Sequence, residues 1–422
     1  MNSTAPKSEL QESDNRYKKR AKRSSLHRLM LVLTAVFALF ASLTGLSCKR
    51  VVERRDVRPL VMRDVPAQRL AFRLEPDSGL PPDLKLNSVE TIPEIQTEFN
   101  TKRKDDALLR TVKSPDGQRA LVLYGTAEEP AEAFRIDLYS ADGQFLRRLT
   151  PPELQCAFAE TVAWSPDGNY ITFIAHRNSQ PSPSPTPPDE VPIGPTGSPS
   201  PNPSVAPFFA PVATFNTEQI YICNRDGYEL KPLTSREGLI YFYLAWAPDN
   251  HGLAALACKE DEWNAREKQF MLPAGRPRLI SIDGDERLLD DQLTEAWPVW
   301  SPDSSKVATG FDTDVGIYDA ATTKPTQARL ALREALLSAS QAYETRLAAA
   351  GQKNGNPTPV ASAQPPAGDE PPPSFNPIVG LEWPVPEKLY IKTAYVRLRP
   401  ETINTFQRWH LIVLSPQAAI LK

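Results

Sequence analysis

The sequence predicts an all-β protein, a β-propeller of four-stranded antiparallel blades, on three observations. First, a turn of the form small residue, Pro, Asp recurs in "TVKSPDGQRALVLYG" from Thr111, "VAWSPDGNYITFIAH" from Val162, "LAWAPDNHGLAALAC" from Leu244 and "PVWSPDSSKVATGFD" from Pro298. Second, each copy stands between an extended segment and an alternating apolar one, the chemistry of a β-turn joining two strands. Third, three of the copies lead on through another strand to an Asp-Gly hairpin signal and a closing Leu-Thr. A unit of this kind has an apolar face on each side of its sheet and buries neither alone. Radial stacking of several units covers both faces and leaves only short, protected edges.

The first 50 residues read as a targeting segment. A basic n-region over 1–28, with Lys18, Lys19, Arg20, Lys22, Arg23 and Arg28, leads into the uncharged run Leu29 to Cys48. Its length suits a single spanning helix, which needs about 20 apolar residues. Its small residues and terminal cysteine suit cleavage instead, and "LTGLSC" resembles a bacterial lipoprotein signal, with Gly45 where such signals usually have Leu. In that reading Cys48 is the candidate lipidation site and the first residue of the mature chain. Both readings export the rest of the chain and place the main domain in the cell envelope, tethered through 29–48 or through a lipidated Cys48.

Residues 49–110 form an extended N-terminal segment in which "AQRLAFRLEP" and "LKLNSVETI" are candidate propeller strands. The repeats occupy 111–324. Within each turn Pro presets φ at the second position, Asp tolerates the third, and Gly117 and Gly168 permit positive φ. The turn residues are Ser114, Pro115, Asp116 and Gly117; Trp164, Ser165, Pro166, Asp167 and Gly168; Trp246, Pro248 and Asp249; and Trp300, Ser301, Pro302 and Asp303. The tryptophans are expected to pack between neighbouring blades and the aspartates to form turns. Ser114 to Ser165 spans 51 positions and Ala247 to Ser301 spans 54. The interval from Ser165 to Ala247 is 82, and its excess is the Pro-rich insertion 179–207, which lacks the amide donors of a strand.

The pattern of a Trp-Ser-Pro-Asp-Gly turn, alternating strand, Asp-Gly hairpin and Leu-Thr ending resembles the TolB-type, WD-repeat-like propeller family, over about residues 111–319. The resemblance implies fold more than function, because propellers host unrelated tasks. It points toward periplasmic complexes that organise the cell envelope. TolB itself carries an α/β domain before its propeller, and 49–110 is too short and too rich in Pro and Arg to form one, so a Tol-system role does not carry over. Four copies do not close a ring. Strands from both flanks bring the expectation to five or six blades, with six slightly favoured and the terminal segments completing a blade.

After the fourth copy, 325–350 reads as an inserted amphipathic helix with an apolar stripe at Leu332, Leu336, Tyr343 and Leu347. A Pro-rich linker at 351–377 comes next, and 378–422 supplies C-terminal strands that complete the propeller.

Little in the chain speaks for catalysis. His27, His176, His251 and His410 have no matching nucleophile motif, and there is no G-x-S-x-G, H-E-x-x-H, C-x-x-C, phosphate loop or G-x-G-x-x-G. Cys156, Cys223 and Cys258 are too scattered for a disulfide framework or a metal cage and read as buried thiols. A net charge of -3 gives no footprint for nucleic acid. No catalytic, metal or cofactor-binding residues and no cofactor are assigned. The expected role is a non-catalytic, membrane-tethered scaffold for protein–protein interaction in the bacterial envelope. The alternatives are an accessory subunit of a larger membrane complex, and a ligand sensor or enzyme using the central channel.

Overall fold

The computed structural model describes residues 61–82, 84, 92–102, 106–126, 133–179, 211–321, 323–353, 377–395 and 406–415. The run 29–48 with Cys48, the insertion 179–207 beyond its first residue, "LKLNSVETI" apart from Leu84 and Ile92, and most of the linker 351–377 lie outside them. Among the described residues no helix is long and apolar enough to cross a membrane.

Among the described residues five antiparallel sheets form, four of four strands and one of five. Strand β1 (Ala71–Glu75) and helix α1 (Pro93–Lys102) come first in the chain. Sheet 1 is β2 (Asp106–Lys113), β3 (Arg119–Thr126), β4 (Arg135–Ser140) and β5 (Phe145–Arg148). Sheet 2 holds β6 (Leu154–Ala157), β7 (Ala163–Trp164), β8 (Tyr170–Arg177), β9 (Gln219–Asn224) and β10 (Lys231–Pro232). Both β6 and β7 pair with β8, as one inner strand interrupted where Phe158 takes a positive φ of 60°.

Sheet 3 is β11 (Leu239–Trp246), β12 (Gly252–Lys259), β13 (Arg276–Ser281) and β14 (Glu286–Leu288), with α2 (Glu260–Lys268) between its second and third strands. Sheet 4 is β15 (Val299–Trp300), β16 (Lys306–Phe311), β17 (Asp314–Asp319) and β18 (Gln327–Ala331), and α3 (Arg333–Lys353) comes directly after it. Sheet 5 takes β19 (Ile378–Val385), β20 (Lys388–Tyr395) and β21 (Phe406–Ser415) from the C-terminal part, and β1 from the N-terminal part is its fourth strand, in register from Ala71↔Ser415 to Glu75↔Leu411.

The sheets pack face to face in chain order because their strands are apolar on both sides. In β3, Leu121 and Leu123 join Trp164, Ile171 and Phe173 of sheet 2, while Ala120, Val122 and Tyr124 on the other face pack against Ile95 of α1. Sheets 2 and 3 meet through Ile174, Ile220, Leu253 and Ala255. Sheets 3 and 4 meet through Ala254, Val307 and Phe311. Sheets 4 and 5 share a cluster with Val315, Ile317, Trp383, Leu389 and Ile412, joined by Leu332 just before α3 and by Leu336 of α3. The architecture is all-β and propeller-like, with few helices.

Three differences from the sequence expectation have physical causes. Five sheets, the lower of the two expected counts and not the favoured six, occupy the described residues, because the terminal segments that complete one sheet together leave no strands for another. The helix expected over 325–350 begins at Arg333, since Gln327–Ala331 is taken as the outer partner of β17. Within 49–110, Ala71–Glu75 is a strand, but Pro93–Lys102 is helical, with Pro at its first position, Glu94 in its first turn and Lys102 in its last.

The recurring turns also bond to one another. At the fourth turn position φ is positive throughout, 67° at Gly117, 72° at Gly168, 67° at Asn250 and 59° at Ser304. The two non-glycine residues use their side chains. Asp167 N–H donates to Asn250 Oδ1 at 2.9 Å, and Asp249 N–H donates to Ser304 Oγ at 3.0 Å. Arg63 extends the chain of contacts by donating to the Asp303 carbonyl at 2.7 Å. Ser304→Ala keeps the backbone strain and removes the acceptor, so an unfolding titration is expected to show a loss of about 1–2 kcal/mol. Ser304→Gly loses the same bond but relieves the strain and should cost less.

Candidate binding face

Within each turn the side chains repeat the same bonds. Ser114, Ser165 and Ser301 donate through Oγ to Oδ1 of Asp116, Asp167 and Asp303 at 2.6, 2.6 and 2.7 Å, and each Oγ accepts the N–H five residues on at 2.9 Å. In the third copy, where Ala247 replaces the serine, Asp249 still accepts His251 N–H at 3.1 Å. Pro115, Pro166, Pro248 and Pro302 are exposed, as are Asp116, Asp167 and Asp249, with Asp303 half-buried. The Asp116 carboxyl, bonded by Ser114 and by Gln118 N–H and paired with Arg225, is held at about 2. These aspartates bond within their own turns, and Asp116 also pairs with Arg225 of sheet 2. Among the described residues no group of three or more His, Cys, Asp or Glu side chains is arranged to hold a metal ion.

The tryptophans reach the preceding sheet. Trp164 Nε1–H donates to the Val112 carbonyl of sheet 1 at 3.1 Å, Trp246 to Thr172 Oγ1 of sheet 2 at 2.9 Å, and Trp300 to the Ala245 carbonyl of sheet 3 at 3.0 Å. Each is a wedge with its polar tip satisfied between two sheets. The first copy has Lys113 in this place; it is exposed, and its sheet has no earlier repeat before it and packs on α1 instead. Sheet 5 carries a fourth wedge that the turn motif did not reveal. Trp383 lies in the cluster shared with sheet 4 and donates to the Pro386 carbonyl at 3.1 Å, in a turn reading "WPVPEK".

Strand order separates the two ends of the stack. In all five sheets the first-to-second turns lie at one end, as do the third-to-fourth turns of sheets 1 to 4, and every one of them is short. The second-to-third connections and the links between sheets lie at the other. Among the described residues there, 92–102, 211–218, 260–275, 289–298 and 332–353 lie between strands, with a tight turn at Asp312 and Thr313. Long insertions in a repeat protein collect on one face because the opposite turns are fixed by packing, and that face is frequently the one that binds.

On this long-connection end the segment directly after α2 carries Phe270, the most exposed large apolar residue among those described. Trp263 roots the helix, its ring centroid 5.7 Å from Phe158 and 5.5 Å from Phe242. Glu262 is bonded by both Arg276 Nη1 and Nη2, at 2.7 and 2.9 Å, and those bonds hold its carboxyl below the usual range. Past the helix Phe270 takes a positive φ of 54° and is 99% exposed, with Leu272 at 69% and Met271 at 46%. The tip is built: Met271 N–H and Phe270 N–H bond back to the carbonyls of Arg266 and Glu267, and Arg266 Nε donates to the Leu272 carbonyl at 2.7 Å. Trp297, 54% exposed and stacked on Tyr243 at 4.8 Å, lies in the link before β15 at the same end. Sequence patterning did not find this site, although "QFMLP" after a charged helix is an apolar run in a loop position.

The described thiols lie away from this end's surface, in the core. Cys156, Cys223 and Cys258 are free and buried; burial pushes the Cys223 and Cys258 thiols up to about 12 and Cys156 higher still. A groove of about 220 Å³ between sheets 3 and 4 at the short-turn end is lined by Asp249, His251, Asp285, Arg287, Trp300 and Ser304. His251 there bonds the Asp249 carbonyl at 2.8 Å.

No family model and no curated protein matches the chain. Among solved structures it is similar to a TolB from Agrobacterium tumefaciens at 16% identity and TM-score 0.30, over 53% of this chain and 67% of that one. It is similar to a chain of the nidogen/laminin complex at 10% identity and TM-score 0.32, over 82% and 98%. Prolyl oligopeptidase B from Galerina marginata matches at 8% identity and TM-score 0.30 over 75% of this chain, which spans only 39% of that enzyme. Likeness at this level carries nothing about family or activity.

Proposed function

We propose that this protein is a non-catalytic interaction scaffold, tethered to the bacterial envelope membrane by its N-terminal segment, and that it binds a partner protein through the long-connection end. The carrying observation is the rigid apolar tip Phe270–Met271–Leu272 on that end. Apolar side chains held out in water by a satisfied backbone cost solubility and gain nothing within the fold; their cost is offset when a partner covers them. The resemblance to TolB-type repeats supports an envelope protein as the partner.

The test is capture from detergent-solubilised membranes with the wild-type chain and with Phe270→Asp. Substitution of so exposed a residue should leave stability within about 0.5 kcal/mol. Capture of the partner should fall at least about tenfold, as expected for an interface anchor. Equal capture by both proteins would contradict the reading.

A further inference from the structure

We infer that His410 is an acid-sensitive latch that holds the N-terminal strand β1 on the fifth sheet. Strand β1 pairs with β21 across more than 330 residues of sequence, so nothing local holds it there. Directly after β1 the chain turns at Asp77, whose φ is 54°, and Asp77 N–H donates to His410 Nδ1 at 3.2 Å. With Nδ1 accepting, the ring proton sits on Nε2 and is donated to Thr393 Oγ1 at 2.9 Å. His410 is buried, and both its nitrogens are used only while the ring is neutral.

The charged groups around it come from three elements. Arg408 of β21 donates to Asp77 Oδ1 through Nε at 2.8 Å and again through Nη2, and also to Ser340 Oγ and the Ala339 carbonyl of α3. Arg346 of α3 donates to Asp77 Oδ2, and the Tyr343 ring lies 4.4 Å from the Arg408 guanidinium. Strand β20 contributes the neutral Thr393. Burial raises the Asp77 carboxyl, but bonds from Arg408 and Arg346 outweigh that and hold it below the usual range, so it stays charged in mild acid. Burial and then Arg408 push the His410 imidazole down to about 4, with Asp77 opposing only in part.

Protonation puts an N–H on Nδ1 facing the Asp77 N–H, donor against donor, and a second cation beside Arg408. Because the latched form binds the proton more weakly than the opened form, latching is complete above the ordinary imidazole value and is lost as pH falls toward about 4.

Hydrogen exchange on the full chain tests this. Protection of residues 70–76, corrected for the intrinsic rate, is expected to fall about fiftyfold from about pH 7 to about pH 4.5, while β12 and β16 keep theirs. His410→Gln, whose amide oxygen still accepts from Asp77 but does not titrate, should abolish the fall. A pH-independent seam, an equal loss in every sheet, or an unchanged fall in His410→Gln would each overturn the latch. If that variant does not fold, the wild-type ring titration by NMR decides: a step near 4 that tracks the loss of protection supports the latch, and one near 6.5 refutes it.

Discussion

Asp319→Ala is expected to be among the most damaging single substitutions in this chain, with a loss of about 3–5 kcal/mol in a denaturant titration. Asp319 and Lys306 are each 1% exposed and pair at 2.9 Å. The carboxylate also accepts Thr326 N–H at 3.0 Å, Thr326 Oγ1–H at 2.6 Å and Ala67 N–H at 3.1 Å, so it ties β16, the third-to-fourth strand turn of sheet 4 and the N-terminal segment together. Burial raises its proton affinity, yet the bonds from Thr326 and Lys306 outweigh that and hold the carboxyl below the usual range. Its contribution is therefore present above the ordinary carboxylate value and is lost only as pH falls through the depressed one. Removing the carboxylate strands a buried ammonium. Lys306→Met combined with Asp319→Leu removes both charges and should recover part of the loss, whereas equal stability of the single and double variants would show that the ammonium is not the source.

Trp164→Ala is expected to cost about 3–5 kcal/mol, the range for truncating a buried large aromatic. Its ring fills the space between sheets 1 and 2, and its indole N–H is the link to the Val112 carbonyl. Asp167→Ala should cost far less, because the exposed carboxylate bonds only within its own turn and the bond from Asp167 N–H to Asn250 survives. Melting curves of the two variants check the order. An unchanged midpoint for Trp164→Ala would remove the explanation of why tryptophan recurs before the turn.

The turns were legible because their chemistry is local. Pro at the second position and a residue that tolerates the left-handed region at the fourth leave a mark in a handful of residues, and four such marks located four sheets. The fifth sheet left none. Its turn at Trp383 has Pro384 where the others have Ser or Ala and lacks the aspartate, and its fourth strand comes from the other end of the chain, a pairing that no local pattern encodes. Gln327–Ala331 reads as helix from its Ala, Arg and Leu, and the open edge of β17 overrides that propensity. Pro93–Lys102 did carry helix signals, with Ile95 and Phe99 one turn apart, but they sat in a stretch whose Pro and Arg content masked them. The apolar tip was hidden for a different reason: whether Phe270 faces core or water is decided by how Trp263 seats α2, which is a tertiary fact.

The separation of a short-turn end fixed by packing from a long-connection end free to bind is tested most directly by photocrosslinking in living cells. A photoreactive residue would replace Phe270 or Leu272 at one end, and Asp116 or Asp249 at the other. The prediction is a discrete crosslinked adduct, the same partner for Phe270 and Leu272, and none from Asp116 or Asp249. Adducts from the aspartate positions with none from Phe270 and Leu272 would place the binding surface on the ring of turns and contradict the account.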